Sequence, residues 1–81
     1  MLKADGYDAA IIGQASIWRD QGRHDVIVYD AHKIIGILVE RDGMTEEEAE
    51  EFFEFNVEGA YVGVSTPVYV WSLDPDYEDG V

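Results

Sequence analysis

The stretch that most constrains this chain is Thr45 to Glu58, TEEEAEEFFEFNVE, because its residues sort by helical phase into one apolar and one acidic side. At ~100° per residue, Ala49, Phe52, Phe53 and Asn56 fall together, and Glu47, Glu50, Glu51, Glu54 and Glu58 fall opposite. Its start is marked in the local chemistry. The Thr45 hydroxyl is placed to accept a free backbone N–H, and Glu48 three residues on completes a capping box. Met44 can staple onto Ala49, and the first-turn acids suit the positive end of the helix dipole. No lysine or arginine interrupts the acidic side, so Glu47–Glu51, Glu50–Glu54 and Glu54–Glu58 stand as like-charge pairs at i, i+4. Each such pair destabilises a helix by about 0.2–0.5 kcal/mol. Two readings follow: a solvated face that keeps the protein in solution, or a row of carboxylates presented to a basic partner.

With 81 residues the chain has material for one small domain with a shallow core, ordered over about 8–73, and the acidic end 74–81 reads as a mobile tail. Apolar residues make up 47% and fall in runs, which favours folding despite a net charge of −13. That charge opposes phosphate backbones and anionic lipid, so direct nucleic-acid binding is disfavoured and nucleic-acid-binding proteins become the plausible partners. Without cysteine there is neither a disulfide nor a thiolate metal site. The start, MLKADGYDAA, carries no secretory pattern, and no apolar run approaches the ~20 residues of a membrane helix. A soluble, cytoplasmic protein is expected.

Along the chain, residues 1–7 read as a loose arm. AAIIGQASIW then reads as a strand with Ala9, Ile11, Gly13, Ala15 and Ile17 on one face, although Ile11, Ile12, Ala15 and Trp18 also fit a helical stripe capped by Asp8. The strand is preferred because Gly13 weakens a helix by ~1 kcal/mol and a second strand follows. A polar turn at 19–24, with Gly22 suited to a positive φ, leads to strand Asp25–Tyr29. Asp30 caps a helix from Ala31 to about Arg41, whose buried stripe is Ala31, Ile34, Ile35, Leu38 and Val39. Gly43 ends it, leaving a connection to the acidic helix so short that the two should pair antiparallel. Gly59 and Gly63 loosen the following segment, and Pro67 opens a third strand, VYVW, with Val68 and Val70 facing away from Tyr69 and Trp71. The expected fold is α+β, in the order β-β-α-α-β: a small, mostly antiparallel sheet covered on one face by a helical hairpin.

Chemistry for catalysis is sparse. Ser16, Ser65 and Ser72 have no histidine nearby in sequence and no nucleophile-elbow pattern, and His24 and His32 read as surface residues. Asp74, Asp76 and Glu78 alternate like the start of a calcium loop, but Asp79 stands where that loop needs glycine. GAYVG lacks the lysine of a phosphate cradle, so neither a metal nor a cofactor is expected, and the chain reads as a non-enzyme. Partner binding is assigned to Glu47, Glu50, Glu51, Glu54 and Glu58, with Phe55 at their flank as an apolar anchor or as packing under GAYVG. The alternative surface is the sheet edge at VYVW, which can pair with a second copy or a host protein; the reading leaves monomer and homodimer open.

RDGMTEEEAEEFFEFNVEGAYVGVSTP, residues 41–67, resembles a segment of small acidic proteins encoded by bacteriophages and prophages, and the preceding VIVYDAHKIIGILVE resembles the same group. The similarity covers about residues 8–70. It implies a phage origin and supplies no catalytic residues to carry over. Small, very acidic phage proteins often inhibit host defence or host DNA-binding proteins, some by imitating the charge of DNA, and the resemblance makes a CRISPR effector or similar protein a partner to consider.

Overall fold

The computed structural model of the chain describes residues 1–73, in which β1 (Ile11–Arg19) and β2 (Gly22–Asp30) are followed by α1 (Ala31–Asp42), α2 (Glu46–Phe52), a π-helical turn (Phe53–Glu58) and β3 (Val68–Val70). A short 3-10 turn, Asp8–Ala10, precedes β1. The fold is α+β with a three-stranded sheet in the order β1-β2-β3. β1 and β2 are antiparallel, but β2 and β3 run parallel through Val28–Val68, Tyr29–Tyr69 and Asp30–Val70. The sheet is therefore mixed, which corrects the mostly antiparallel expectation. Residues 59–67 can extend over about 30 Å, enough chain to carry it back before β3 begins. β3 is also shorter than VYVW, since Trp71 lies beyond it.

Residues 9–18 contain a strand, not a helix, but its faces differ from simple alternation. Ile11 pairs with Tyr29 and Gly13 with Val28, so Ile12 is an extra residue in a β-bulge. The bulge shifts the parity. Ile11 shares a face with Tyr29, while Gly13, Ala15 and Ile17 belong with Val28, Val26 and His24. Ala9 leaves the expected set altogether: it is exposed in the 3-10 turn, and Ala10 is the buried neighbour. The turn is tighter than expected as well. Arg19 pairs with Gly22, leaving Asp20 and Gln21 as the loop, and these two residues, not Gly22, take positive φ values of 52° and 67°. A two-residue hairpin loop of this kind needs both central residues left-handed to match the strand twist. β2 thereby starts at Gly22 and not at Asp25.

α1 begins where Asp30 accepts the Lys33 N–H and ends at Gly43, which is left-handed with φ of 69°. Ala31, Ile34, Ile35 and Leu38 are buried, with Val39 partly so. α2 begins with the expected capping box: the Glu48 N–H donates to the Thr45 hydroxyl at 3.1 Å and the Thr45 N–H to the Glu48 carboxylate at 2.9 Å. These bonds hold the Glu48 carboxyl below its usual range, the backbone bond from Thr45 contributing most.

The acidic helix is not uniform. After Phe52 the hydrogen bonding widens to i→i+5, closing with the Gly59 N–H on the Glu54 carbonyl at 3.0 Å. A side chain at 59 would put Cβ 2.8 Å from that carbonyl oxygen, so glycine is required by space. The wider turn keeps Ala49, Phe53 and Val57 in line, each four residues from the last, and all three are buried. Phe52 and Asn56, expected on the apolar side, are instead exposed.

One apolar cluster joins Tyr7, Ala10 and Tyr29 to Ala31, Ile34, Ile35 and Leu38 of α1 and to Ala49, Phe53 and Val57. Phe53 is its pivot. Its ring meets Tyr69 and Trp71 edge-on at 5.4 and 5.5 Å, and Tyr69 stacks on Tyr29 at 5.6 Å. Residues 1–7 are not loose: Tyr7 is buried, the Ala4 N–H donates to the Tyr29 hydroxyl at 2.8 Å, and Arg41 donates to the Gly6 carbonyl at 2.8 Å. On the other face of the sheet, Arg19 donates to the carbonyls of Thr66 (2.7 Å) and Val64 (3.2 Å), tying down the turn before β3.

Two substitutions check this account. Phe53→Ala should destabilise by about 3–5 kcal/mol, the range for deleting a buried phenylalanine, and abolish a cooperative thermal melt in so small a domain. Gln21→Gly should act in the opposite direction: a left-handed non-glycine residue carries roughly 1–2 kcal/mol of strain, partly offset by glycine's greater freedom when unfolded, for a net gain of about 0.5–1 kcal/mol seen as a raised Tm. An unchanged or lowered Tm for Gln21→Gly would mean that the turn is built differently.

Candidate functional site

α2 and the π-helical turn place Glu47, Glu50, Glu51, Glu54 and Glu58 in solvent, while Ala49, Phe53 and Val57 point to the core. The ion pairs among the described residues, Lys3–Asp8 at 3.4 Å and Arg41–Asp42 at 3.0 Å, involve none of these glutamates. The few cations are directed elsewhere. Arg41 is committed to Asp42, the Gly6 carbonyl and the face of Tyr7; Arg19 to the 64–66 carbonyls and the ring of Tyr61. Its bond to Asp42 raises the Arg41 pKa and lowers that of Asp42, so both stay charged at any ordinary pH. Arg23 lies beside the hairpin turn and Lys33 in the first turn of α1. With 18 acids against five bases, the exposed carboxylates of α2 are in no ion pair among the described residues.

Phe55 is 79% exposed, so it does not pack under GAYVG. It lines a shallow groove of about 370 Å³ with Met44, Glu48, Glu51, Phe52 and Asn56. A larger groove of about 610 Å³ lies on the other side of Phe52 and Asn56, which wall both. Leu2, Tyr7, Val57, Val62, Pro67 and Tyr69 supply most of its apolar lining. Burial raises the Tyr69 hydroxyl above the usual phenol range, and neighbouring Tyr29, Tyr7 and Glu58 act in the same direction. Of the predicted site residues, then, Glu51 and Phe55 meet at a groove; Glu47, Glu50, Glu54 and Glu58 line neither groove.

The groove was not visible in the sequence. A constant period of ~100° puts Phe52 on the apolar side with Ala49 and Phe53, and residues 1–7, which include Leu2 and Tyr7, have no period. Phe52, the last residue of α2, and Asn56, in the π-helical turn, both stand on the groove wall.

His24 and His32 are not brought together: about 20 Å of strand separates His24, opposite Ile17, from the end of β2, beyond which His32 packs edge-on against Trp71 at 5.0 Å. Among the described residues no group of three or more potential metal ligands is assembled, and Asp74, Asp76, Glu78 and Asp79 lie outside them. No helix among the described residues is long and apolar enough to cross a membrane. No family model matches the chain, and neither a curated protein nor a solved structure shows significant similarity to it.

The unpaired charge has a measurable consequence. Replacing Glu47, Glu50, Glu51 and Glu54 together by glutamine should raise stability by up to about 1.5 kcal/mol at low salt, through relief of the Glu47–Glu51, Glu50–Glu54 and Glu54–Glu58 repulsions. The gain should shrink at 1 M salt, where the screening length falls to about 3 Å. Denaturant melts of both proteins at both salt concentrations test this, and a loss of stability at low salt would show that the carboxylates gain more from partners or from the helix dipole than they lose by repulsion.

Proposed function

We propose that this chain is a phage-type acidic inhibitor that binds a basic, nucleic-acid-binding host protein, such as a CRISPR effector, through the carboxylates of Glu47, Glu50, Glu51, Glu54 and Glu58. The observation that carries this reading is the exposure of all these side chains along two consecutive elements, α2 and the π-helical turn, outside any ion pair among the described residues. Successive carboxylates on a helix are several Å apart, comparable with the ~3.4 Å rise per nucleotide of one DNA strand, so the face can stand in for phosphates. In this reading the protein is not an enzyme, needs no cofactor, binds no nucleic acid itself and works in the cytoplasm of the bacterial host. Its α1 and α2 are an antiparallel hairpin over one face of the sheet, which gives the acidic row a rigid support.

A second reading has its own observation. β3 lies at an edge of the sheet and its Val70, with Leu73 after it, is exposed, as an accessory protein using strand addition would need, with the acidity then serving solubility alone.

The two are separated by charge variants. Changing Glu47, Glu50, Glu51 and Glu54 to lysine should abolish capture of nucleic-acid-binding proteins from a host lysate, and the glutamine variant should weaken it in proportion to the charge removed. Duplex DNA should displace the captured proteins while failing to bind the chain itself in a mobility-shift assay. Equal loss on neutralising Asp74, Asp76, Glu78 and Asp79 would make net charge, not the helix, responsible; no loss from either set would leave the sheet edge as the surface to test.

A further inference from the structure

Aromatic and aliphatic side chains remain in solvent where the acidic helix meets the N-terminal segment and the 60–67 turn. Phe52 is 36% exposed, Leu2 42% and Val62 62%, and all three wall the 610 Å³ groove. Contiguous exposed apolar surface of this kind marks interaction sites on small proteins. A cavity of about 150 Å³ holds a benzene-sized group, so the groove has room for about three or four large apolar side chains. Its surroundings select the sign of whatever carries them. Glu48 and Glu51 line the adjoining groove across Phe52, and Asp5 lines the apolar one; Lys3, the cation there, is ion-paired with Asp8.

We infer that the paired grooves on either side of Phe52 are a docking site for a cationic amphipathic segment of a partner protein, its apolar side chains seated between Phe52, Val62 and Tyr69 and its lysines or arginines facing Glu51. This rests on the acidic-surface reading above and deepens it: the partner is recognised by apolar anchors as well as by charge. A bare phosphate-binding channel would satisfy the carboxylates alone. Leucine- or phenylalanine-bearing basic segments satisfy both surfaces, and the anchors supply the part of the affinity that salt does not screen. The chain's own residues 74–81 are a poorer occupant, because Asp74, Asp76, Glu78 and Asp79 would bring further negative charge to an acidic rim.

Fluorescence anisotropy of three labelled synthetic peptides against the full-length protein tests the inference: a Leu/Lys amphipathic 14-mer, an oligolysine of equal charge, and the Leu/Glu counterpart of the first. The Leu/Lys peptide should bind at least tenfold tighter than oligolysine, and the Leu/Glu peptide should not bind. Val62→Ser, at a well-exposed position, should weaken the Leu/Lys peptide at least fivefold without altering the far-UV circular dichroism or the affinity for oligolysine. Backbone amide shifts on titration should centre on Tyr7, Val57, Ala60 and Val62. If oligolysine binds as tightly as the Leu/Lys peptide and Val62→Ser changes nothing, the groove is not a site, although the acidic face survives as a charge-only surface. Equal binding of the Leu/Glu peptide removes the cationic requirement, and binding that appears only after deletion of residues 74–81 makes the chain's own end the occupant; either result overturns the inference. So does the absence of binding by the Leu/Lys peptide, whereas the lysate capture above fails independently if the carboxylates have no basic partner.

Discussion

The insertion of Phe53 between the helices and the sheet is the contact on which the rest of this fold depends. A domain of this size buries few large side chains completely, and Phe53 and Tyr29 are the largest of them. Through Tyr69 and Trp71, Phe53 connects the acidic helix to the strand that follows it; through Tyr69 and Tyr29 the same contact reaches the centre of the sheet. The acidic helix gains little from its own sequence, where neighbouring carboxylates repel. Its stability comes from the Thr45–Glu48 capping box at one end and from the burial of Ala49, Phe53 and Val57 along its length.

The basic residues complement this arrangement. Arg41 fastens the N-terminal segment by the Gly6 carbonyl and Arg19 fastens the turn before β3 by two more, so each guanidinium closes a long-range connection to backbone. Among the described residues neither guanidinium pairs with a carboxylate of the acidic helix, so that surface is left uncompensated. Thr66 performs a smaller version of the same task, taking the Val62 N–H at 2.8 Å and donating to the Gly63 carbonyl at 2.6 Å, and this satisfies a buried hydroxyl inside a segment otherwise without regular structure.

Most of what is set by short-range chemistry was legible in the sequence. The caps at Asp30 and Thr45, the left-handed Gly43, the buried stripe of α1 and the order of the elements all follow from local patterns, and the structure has them. What was not legible depends on contacts distant in sequence or on a change of helical pitch. The bulge at Ile12 responds to the pairing with Tyr29 and Val28, and the positive φ at Gln21 is imposed by the twist of two strands on a residue with no preference for it. The wider turn after Phe52 brings Val57 into line with Ala49 and Phe53, while Phe52, which a fixed period puts on the apolar side, is exposed at the site. The exposed carboxylates were thus visible in the sequence and the apolar groove beside them was not.

The parallel pairing of β2 with β3 also gives the molecule a history. β1 and β2 meet across a two-residue turn, a closure that takes microseconds, but Val28 can meet Val68 only after both helices and the 59–67 segment lie between them. In a chain made from its N-terminus, Tyr29, at the open end of the hairpin and paired with Ile11, therefore exists well before Tyr69, which stacks on it. α1 follows β2 without a break, and its Ala31, Ile34, Ile35 and Leu38 share a cluster with Tyr29. β3, with three paired positions, is made after them, and its Tyr69 completes the aromatic contacts of Tyr29 and Phe53.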